Sequence, residues 1–433
     1  MTAQNRPTTL LGSQADPNTA LDLSDPCSFS HGVPHAALAA MRRASPVTWV
    51  REAPLIRHGS RFQQRLRGSG FWAALSYQSV VEVSKQPAIY SSAAQGAFLT
   101  DPASRESLEQ ARNLLVNMDD PQHATLRKFV ARAFSPRAVS ELCNSVERHA
   151  RALVERAVLR VEFDAVQELC AELPLLVLAE VLGVPREDRG LMYKWSNHIV
   201  GFDDPEYGGG NVETYRGTFA EMFQYARKLL ADKRRTHGDD LLSALVHLEI
   251  DGRVLSEDEL CNLCILFMVG GNESTRHFLS GSLHTLAVHP YAARELLENA
   301  SRLPTAVDEL LRWVSPVMQF RRTALQDTML AGQAVRTGDK VVMYYVAANR
   351  DENVFAHSEE LRLDRRPNPH VAFGVGPHFC LGAHLARLEA MALLGALRPY
   401  LTCLQLTGPV VRLASNFMNG IKSMPARIEA GRS

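Results

Sequence analysis

One cysteine of this chain lies at the end of a glycine-rich segment, just before a predicted helix. The segment runs from Phe373 and Gly374 through His378 to Cys380, and apolar residues then recur at helical spacing over 381–397. Glycine lets a backbone approach a flat cofactor where a Cβ would collide. The first N–H groups of the helix and the positive end of its dipole favour a thiolate at this place. The pattern predicts a haem whose iron is bound by the Cys380 sulfur, a ligand that favours cleavage of an O–O bond.

Other interpretations of the cysteines stay open. His378, Cys380 and His384 have the ligand types of a zinc site, and a cysteine before a helix can also be a small packed residue. The Cys261-x-x-Cys264 pair has redox or zinc spacing, but it lies in an apolar helical stretch without a second pair, which favours core packing. The seven cysteines are too scattered for a disulfide framework and indicate a reducing compartment.

A long helix is predicted over 256–289. Ser256 and Glu259 form a capping-box pattern at its start, and Pro290 ends it. Gly270 and Gly271 interrupt its apolar middle at a cost of about 1 kcal/mol each relative to alanine. Close approach of a ligand would explain two glycines at this place.

An acid and two hydroxyl residues, Glu273, Ser274 and Thr275, directly follow this glycine pair. Such side chains can widen the helical hydrogen-bond ladder and hold a water molecule. The alternative is that one helix ends at Gly270 and another begins at Asn272. Helical periodicity resumes at once, which favours a single distorted helix.

Two further pairs of polar residues lie one helical turn apart. Glu309 and Arg312 share a helix face among apolar neighbours, so burial would require both charges to be paired. His123 and Arg127 are a pair of cations that suits the anchoring of carboxylates.

The elements that must position these residues are mostly helices, with small sheets. Domain 26–433 is predicted to follow a flexible N-terminal segment, 1–25. Helices are predicted at 121–134, 138–158, 165–182, 213–235, 256–289, 304–313 and 381–397, and short strands at 46–50, 70–76, 328–336 and 340–346.

Composition excludes several classes of function. The 433 residues are 46% apolar and 22% charged with a formal net charge of +0, which does not suggest a nucleic-acid-binding surface. We expect no signal peptide and no membrane span, and hence a soluble cytoplasmic protein. The Arg-rich segment 51–69 is interpreted as a solvated connector, with a docking surface for an acidic partner as the alternative.

Together these features resemble a bacterial cytochrome P450, a soluble haem-thiolate monooxygenase, over residues 25–430. The cysteine segment matches the family form Phe-x-x-Gly-x-His-x-Cys-x-Gly at 373–382. The resemblance implies one domain with haem b between the long central helix and the helix after Cys380. It implies Cys380 as iron ligand, His123, Arg127, Arg322 and His378 as propionate ligands, Phe373 and Gly374 against the haem, and Glu309, Arg312 and Arg365 as a structural ion-pair cluster.

The resemblance also implies insertion of one oxygen atom from O₂ into a C–H bond of an apolar substrate. Glu273 and Ser274, followed by Thr275, match the acid–alcohol pair that delivers protons, although the family usually has threonine where this chain has Ser274. Electrons would come from NAD(P)H through a ferredoxin and a ferredoxin reductase, with Lys128, Arg132 and Arg137 near the docking side, and the protein would be a monomer.

The substrate class implied is a terpenoid, sterol or alkyl chain. The alternatives are a polyketide or peptide natural product, peroxide-driven oxygenation, and a non-catalytic haem sensor or carrier. Pocket positions that correspond to the family's are Val269, Gly270, Val317, Met318, Phe320, Phe417 and Met418, none of them charged.

Overall fold

Helices form most of the fold in a computed structural model that describes residues 21–66, 68–236 and 238–429. A π-helical turn, Val166–Cys170, and short 3₁₀ turns connect several of them. The α-helices are α1 (His35–Ala44), α2 (Tyr77–Lys85), α3 (Arg105–Ala111), α4 (Gln122–Ala131), α5 (Pro136–Glu141), α6 (Cys143–Val158), α7 (Glu172–Leu182), α8 (Arg189–Val200), α9 (Val212–Arg235), α10 (Leu241–His247), α11 (Glu257–Val288), α12 (Pro290–Glu298), α13 (Leu303–Val314), α14 (Tyr345–Ala348) and α15 (Ala383–Leu397).

The strands are short and form small sheets, as the sequence predicts. They are β1 (Val47–Val50), β2 (Leu55–Gly59), β3 (Phe62–Leu66), β4 (Phe71–Ala74), β5 (Tyr90–Ser91), β6 (Phe163–Asp164), β7 (Glu249–Ile250), β8 (Arg253–Val254), β9 (Gln319–Ala324), β10 (Thr328–Leu330), β11 (Gln333–Val335), β12 (Lys340–Tyr344), β13 (Leu404–Leu406), β14 (Val411–Arg412), β15 (Ile421–Ser423) and β16 (Pro425–Ile428).

The largest sheet has the order β1-β4-β12-β9-β5. Strand β12 runs parallel to β4 and antiparallel to β9, where Lys340 lies opposite Thr323 and Val341 opposite Arg322. A second sheet has the order β13-β16-β6, and the pairs β2–β3, β7–β8, β10–β11 and β14–β15 are separate. One large apolar core lies among the helices, and two smaller clusters lie against the main sheet.

The central helix α11 is continuous over its 32 residues, so the two-helix alternative is wrong. The Ser256 hydroxyl accepts from the Glu259 N–H at 3.2 Å, and the Glu259 carboxylate accepts from the Ser256 N–H at 2.9 Å. Gly271 lets α7 pack closely, because a Cβ there would lie 2.8 Å from Leu178 Cδ2. A Cβ on Gly270 would meet no heavy atom within 4 Å, so that position is open to a ligand.

Two predicted helices have different boundaries in the structure. The range 138–158 is divided into α5 and α6 by a turn at Leu142, and Ser135 caps α5 at its start. The range 165–182 begins with the π-helical turn before α7. Apolar spacing continues across both junctions, which is why periodicity alone does not reveal them.

Part of the predicted N-terminal segment is packed against the domain. Leu23 is fully buried, and its carbonyl accepts from the Tyr344 hydroxyl at 3.3 Å. Ser24 is also buried, and its carbonyl accepts from the Asn416 amide at 2.6 Å. Residues 1–20 lie outside the described part of the chain.

The Arg-rich segment forms the hairpin β2–β3 rather than a connector. Arg57 is only 5% exposed because its guanidinium pairs with Asp203 at 2.5 Å and lies 4.6 Å from the centre of the Phe202 ring. Arg61 and Arg65 are exposed. The solvated-connector interpretation is therefore wrong for Arg57 and for the backbone of the hairpin.

Within the described residues, the helices are all too short or too polar for a transmembrane span. This finding agrees with the prediction from hydropathy.

Candidate functional site

The cysteine segment forms a tight loop that places Cys380 just before α15. The Cys380 N–H donates to the Phe373 carbonyl at 2.9 Å and closes the loop. Gly374 and Gly376 have φ values of +70° and +78°, which glycine adopts without strain. A Cβ on Gly376 would lie 2.8 Å from the Ser84 carbonyl oxygen. Gly376 therefore allows close approach to the backbone of α2, and the predicted approach of this loop to a flat cofactor stays a prediction.

The acidity of the Cys380 thiol is set by two opposing effects. The side chain is accessible, yet desolvation by the surrounding protein raises its pKa. The Gly382 N–H, Arg127 and Arg387 act in the opposite direction and are outweighed. The predicted effect of the helix start is thus present but smaller than that of burial. A metal ion bound at this sulfur would deprotonate the thiol, because coordination favours the thiolate.

Four nitrogen donors converge beside Cys380. The His123 ring, on α4, lies 4.1 Å from the His378 ring at an angle of 34°. Arg127, one turn further on α4, donates to the carbonyl just before Cys380 at 2.5 Å. Arg322, on β9, is 5% exposed. The structure therefore brings together the four residues that the resemblance implies as propionate ligands.

The charges of this cluster differ from the prediction. Burial, Arg322, His123 and Arg127 lower the pKa of His378 to about 2. Burial and Arg127 also lower the pKa of His123, which Asp120 only partly offsets. At neutral pH both imidazoles are neutral hydrogen-bonding groups, and the two guanidinium groups carry the positive charge.

Glu273 lies on α11 inside a buried polar network. It is 1% exposed, and its carboxylate accepts from the Ser196 hydroxyl of α8 at 2.7 Å. The other oxygen pairs with Arg276 and lies 3.3 Å from His277 Nε2. Burial raises the pKa of Glu273, but Arg276, His277 and Ser196 more than offset it, so the pKa is lowered. The network holds Glu273 as a carboxylate, and Arg276 in turn donates to the Asn197 amide oxygen at 2.8 Å.

Ser274 faces a different direction from Glu273. Its hydroxyl donates to the Gly270 carbonyl, one turn earlier, at 2.8 Å. Because Gly270 is exposed in the middle of α11, this hydroxyl lies at an accessible part of the helix. Thr275 is 4% exposed. Acid and alcohol are therefore adjacent in sequence, but no hydrogen bond between them is seen in the described residues.

The predicted ion-pair cluster is present in the core. Glu309 and Arg312 are fully buried and joined by two hydrogen bonds of 2.8 Å. Arg365 donates to the same carboxylate at 3.0 Å. Asn368 and the Arg362 N–H supply further donors. These groups form a structural centre within α13 and the segment that leads to the cysteine loop.

Most of the predicted pocket residues lie on two adjoining segments. Val317 and Met418 form an isolated β-bridge, and the Phe417 carbonyl accepts from the Met318 N–H at 2.8 Å. Phe320 and Phe417 have ring centres 5.4 Å apart. Met318 is instead fully buried in an apolar cluster below the sheet. Val269 and Gly270 lie on α11 and are partly or fully exposed.

The zinc alternatives find no geometric support. Among residues 21–66, 68–236 and 238–429, no three histidine, cysteine or acidic side chains are arranged to hold a metal ion. Cys261 and Cys264 are fully buried within α11, which agrees with core packing. Burial raises the pKa of Cys261 to about 11, so this thiol has no tendency to become a nucleophile.

Comparisons with known proteins give a consistent result. The family model for cytochrome P450 matches residues 209–398. The steroid C26-monooxygenase of Mycobacterium tuberculosis strain H37Rv is 37% identical over 93% of this chain and 91% of its own length. The chain belongs to the cytochrome P450 family. It is an oxidoreductase of the monooxygenase type, as its resemblance implies.

Two further comparisons support the assignment as a P450. Linalool 8-monooxygenase of Pseudomonas putida is 34% identical over 93% of this chain and 97% of its own. A cytochrome P450 of Mycobacterium marinum, solved in complex with pseudoionone, superposes with a TM-score of 0.85 at 36% identity and covers 96% of this chain and 100% of its own. The single-domain, mainly α P450 fold predicted from the sequence is confirmed.

Membership of the P450 family implies a haem with a thiolate ligand, and the residues present fit this group. His123 Nε2 is buried and has no hydrogen-bond partner in the described protein. Next to it lie the guanidinium groups of Arg127 and Arg322, with Asp120 at 3.4 Å from His123 Nδ1 and Asp119 interacting with Arg322. An unpaired donor beside two guanidinium groups suits two propionate carboxylates. The open surface at Gly270 suits a flat ring.

Several residues around the site of this P450 are not found by sequence reasoning. Ser196 and Asn197 reach the Glu273 network from α8, more than seventy residues away in the chain. Phe98 lies with its ring centre 5.9 Å from Phe320 and 5.3 Å from Phe417. Such contacts depend on tertiary packing. The only signal in the sequence is an aromatic residue in a loop of small residues.

Proposed function

We propose that this P450 hydroxylates a terminal methyl group on a branched isoprenoid chain, as found in terpenoids and sterols. The support comes from the names of two relatives, a steroid C26-monooxygenase and a linalool 8-monooxygenase. Carbon 26 of a sterol and carbon 8 of linalool are both terminal methyl carbons of such a chain. An unbranched alkyl chain also ends in a methyl group whose C–H bonds could be hydroxylated, and it would need less space than a branched chain.

The pocket composition supports an apolar substrate. Val317, Phe320, Phe417 and Phe98 contribute adjoining aliphatic and aromatic surface. Pockets of this composition bind by buried apolar area and use few polar groups to orient the ligand. A branched hydrocarbon chain therefore suits this pocket better than a charged or strongly polar substrate.

The proposed cofactor is haem b, with Cys380 as iron ligand and His123, Arg127, Arg322 and His378 at the propionates. Phe373 and Gly374 would lie against the ring. When bound, the haem supplies the activation of O₂, and thiolate ligation favours O–O cleavage. The protein contributes the orientation of the substrate, the exclusion of water and the supply of protons.

Proton supply is assigned to Glu273 and Ser274. Both Glu273 oxygens are engaged, one by Ser196 and the other by Arg276 and His277. The carboxylate must therefore release one of these partners and take up a proton from water before it can pass that proton toward Ser274. The Ser274 hydroxyl donates to the Gly270 carbonyl, which leaves its lone pairs free to accept a hydrogen bond from a water molecule.

Electrons are proposed to come from NAD(P)H through a ferredoxin reductase and an acidic ferredoxin. Lys128, on α4, is exposed beside a cavity of ≈330 Å³ that Arg127 and Pro377 also line. Arg132 and Arg137 are exposed nearby. The ion pairs of Lys128 with Asp251, 2.7 Å, and of Arg137 with Glu141, 4.0 Å, lie at the surface and are weak. An acidic partner can displace them.

The experiment that tests this function is an optical titration of the purified ferric protein with terpenes, sterols and unbranched fatty acids. We expect a saturable shift from low to high spin with branched isoprenoids, followed by terminal-methyl alcohols in turnover with a surrogate ferredoxin. A shift only with polyketides or carrier-bound peptides would replace the proposed substrate class. Ligand binding without product or NAD(P)H oxidation would support a sensor or carrier.

Monomeric state and cytoplasmic location stay predictions from the sequence.

A further inference from the structure

A cluster of charged residues, buried except for the Asp101 side chain at 41% exposure, lies on the far side of the main sheet from Arg322. The Lys340 ammonium, 2% exposed, donates to both oxygens of Glu52 at 2.8 and 3.0 Å, to Asp101 at 3.0 Å and to the Leu99 carbonyl at 3.0 Å. An ammonium has three N–H donors, and here they face two carboxylates and one backbone carbonyl. Each N–H group of the ammonium therefore has an acceptor, and one of these acceptors is the carbonyl of a loop residue, Leu99.

Arg321 holds the same loop at neighbouring points. Its side chain, 2% exposed, pairs with Asp101 at 2.6 Å and reaches the Leu99 carbonyl at 3.5 Å. Its backbone N–H donates to the Ala97 carbonyl at 2.8 Å. We call Glu52, Asp101, Arg321 and Lys340 the loop anchor. The charged side chains of this set hold the Leu99 carbonyl, and the backbone N–H of Arg321 holds the Ala97 carbonyl, so both carbonyls that flank Phe98 are fixed.

Phe98 is the residue between these two fixed carbonyls. Ala97 and Leu99 are buried, whereas Phe98 is 40% exposed. Its ring makes an edge contact with Phe417 at 5.3 Å and a tilted contact with Phe320 at 5.9 Å. Arg321 directly follows Phe320 on β9, and consecutive strand residues point to opposite faces. The loop anchor therefore lies on one face of the strand while the three aromatic rings lie on the other.

We propose that the loop anchor positions Phe98 and thereby sets the size of the aromatic wall above the substrate, so that Asp101 and Lys340 act as positioning residues for substrate selection. The proposal rests on the assignment of Phe320 and Phe417 to the substrate pocket. It extends that assignment to charged residues that do not touch the substrate. Their effect reaches the pocket through the Leu99 carbonyl, which directly follows Phe98 and which the Lys340 and Arg321 side chains hold.

The test uses two nitrogen ligands of ferric haem that differ in size. Imidazole binds the iron without extending far, whereas 4-phenylimidazole places a second ring in the pocket. Dissociation constants from the Soret shift are measured for the wild type, Phe98→Ala, Asp101→Asn and the double variant. Asp327→Asn is the control, because Asp327 is also paired with an arginine, Arg336, but is 59% exposed on a separate hairpin.

We expect Phe98→Ala to weaken 4-phenylimidazole by about 2- to 12-fold, the value of aromatic contacts of this kind. Asp101→Asn should weaken the binding of 4-phenylimidazole within the same range, and the double variant should weaken it no more than Phe98→Ala alone does. None of these variants should change the binding of imidazole, and Asp327→Asn should bind both ligands as the wild type does. Equal loss for both ligands, additive losses in the double variant, or no loss in Asp101→Asn would overturn the proposal.

A second measurement is independent of the haem. Amide hydrogen exchange over residues 92–104 should be faster in Asp101→Asn and in Lys340→Met than in the wild type, and Lys340→Arg should restore part of the protection. Unchanged exchange in Asp101→Asn would also overturn the proposal. A wild type that binds neither imidazole would instead contradict the haem site itself, and the exchange result would still decide the role of the loop anchor.

Discussion

Replacement of Arg312 by lysine keeps the buried charge but changes the hydrogen-bonding geometry. The guanidinium donates twice to the Glu309 carboxylate at 2.8 Å, and once each to the carbonyls of Asn349, Ser358 and Glu360 at 2.8, 3.0 and 3.2 Å. These five bonds use every N–H of the side chain. Arg312 is fully buried, so water cannot replace a lost donor.

The size of the effect follows from this geometry. Lysine has three donors, so Arg312→Lys loses at least two of the five hydrogen bonds. Each lost hydrogen bond from a charged donor costs about 1.5–3 kcal/mol, which gives about 3–6 kcal/mol in total. Glu309 keeps Arg365 at 3.0 Å as counter-charge, so the cost of an unpaired buried carboxylate is avoided. The loss is large beside a total stability of about 5–15 kcal/mol.

The assay is urea unfolding of the purified protein followed by circular dichroism. Arg105→Lys is the matched control, because Arg105 also pairs with a glutamate, Glu109, at 2.9 Å but its side chain is 91% exposed. We expect the control to change the free energy of unfolding by less than about 0.5 kcal/mol. If Arg312→Lys changed it as little as the control does, the reasoning from donor geometry would be wrong.

Three further predictions concern single residues. Ser274→Thr should raise the product formed per NAD(P)H consumed, because a β-branched side chain fixes the hydroxyl rotamer; unchanged coupling would contradict this. Burial raises the pKa of Glu389 from 4.5 to about 8, so the folded protein keeps a proton that the unfolded chain releases. Because the unfolded chain loses this proton as the pH rises and the folded protein does not, the free energy of unfolding of the protein should fall by about 3 kcal/mol between pH 5 and pH 7.5. Urea unfolding at both pH values should show no such fall in Glu389→Gln, and its persistence would refute the assignment. Gly376→Ala should reduce haem retention, because the new Cβ would lie 2.8 Å from a backbone oxygen at a φ of +78°; Gly332→Ala, at a φ of +82° with open space, should retain haem as the wild type does.

Local patterns in the sequence are sufficient for the central helix and the ion-pair cluster. Ser256 and Glu259 lie three residues apart, and so do Glu309 and Arg312, so their contacts depend only on helical geometry. The partners of Glu273 come from α8 and cannot be inferred from spacing. Cys380 is a third case. The Gly382 N–H at the start of α15 lowers the pKa of the thiol, as the sequence predicts, but burial raises this pKa by more.

Strand β9 was not predicted for a related reason. Its sequence, Gln-Phe-Arg-Arg-Thr-Ala, lacks the alternation of apolar and polar residues that marks a half-buried strand. Arg321 and Arg322 are nevertheless buried, because each interacts with polar residues from other parts of the chain, and hydrophobic periodicity does not predict such contacts. Asp101 pairs with Arg321, while Arg322 lies beside His123 and His378.

Strand β9 also limits how this enzyme can change during evolution. Phe320, Arg321 and Arg322 are consecutive and belong to the proposed substrate wall, the loop anchor and the proposed haem site. An insertion or deletion of one residue would exchange the two faces of the strand and misplace all three side chains at once. New substrate preferences can therefore arise here by substitution at Phe320, while the length of the strand must stay constant. Variation in length is tolerated better in loops than in such a strand.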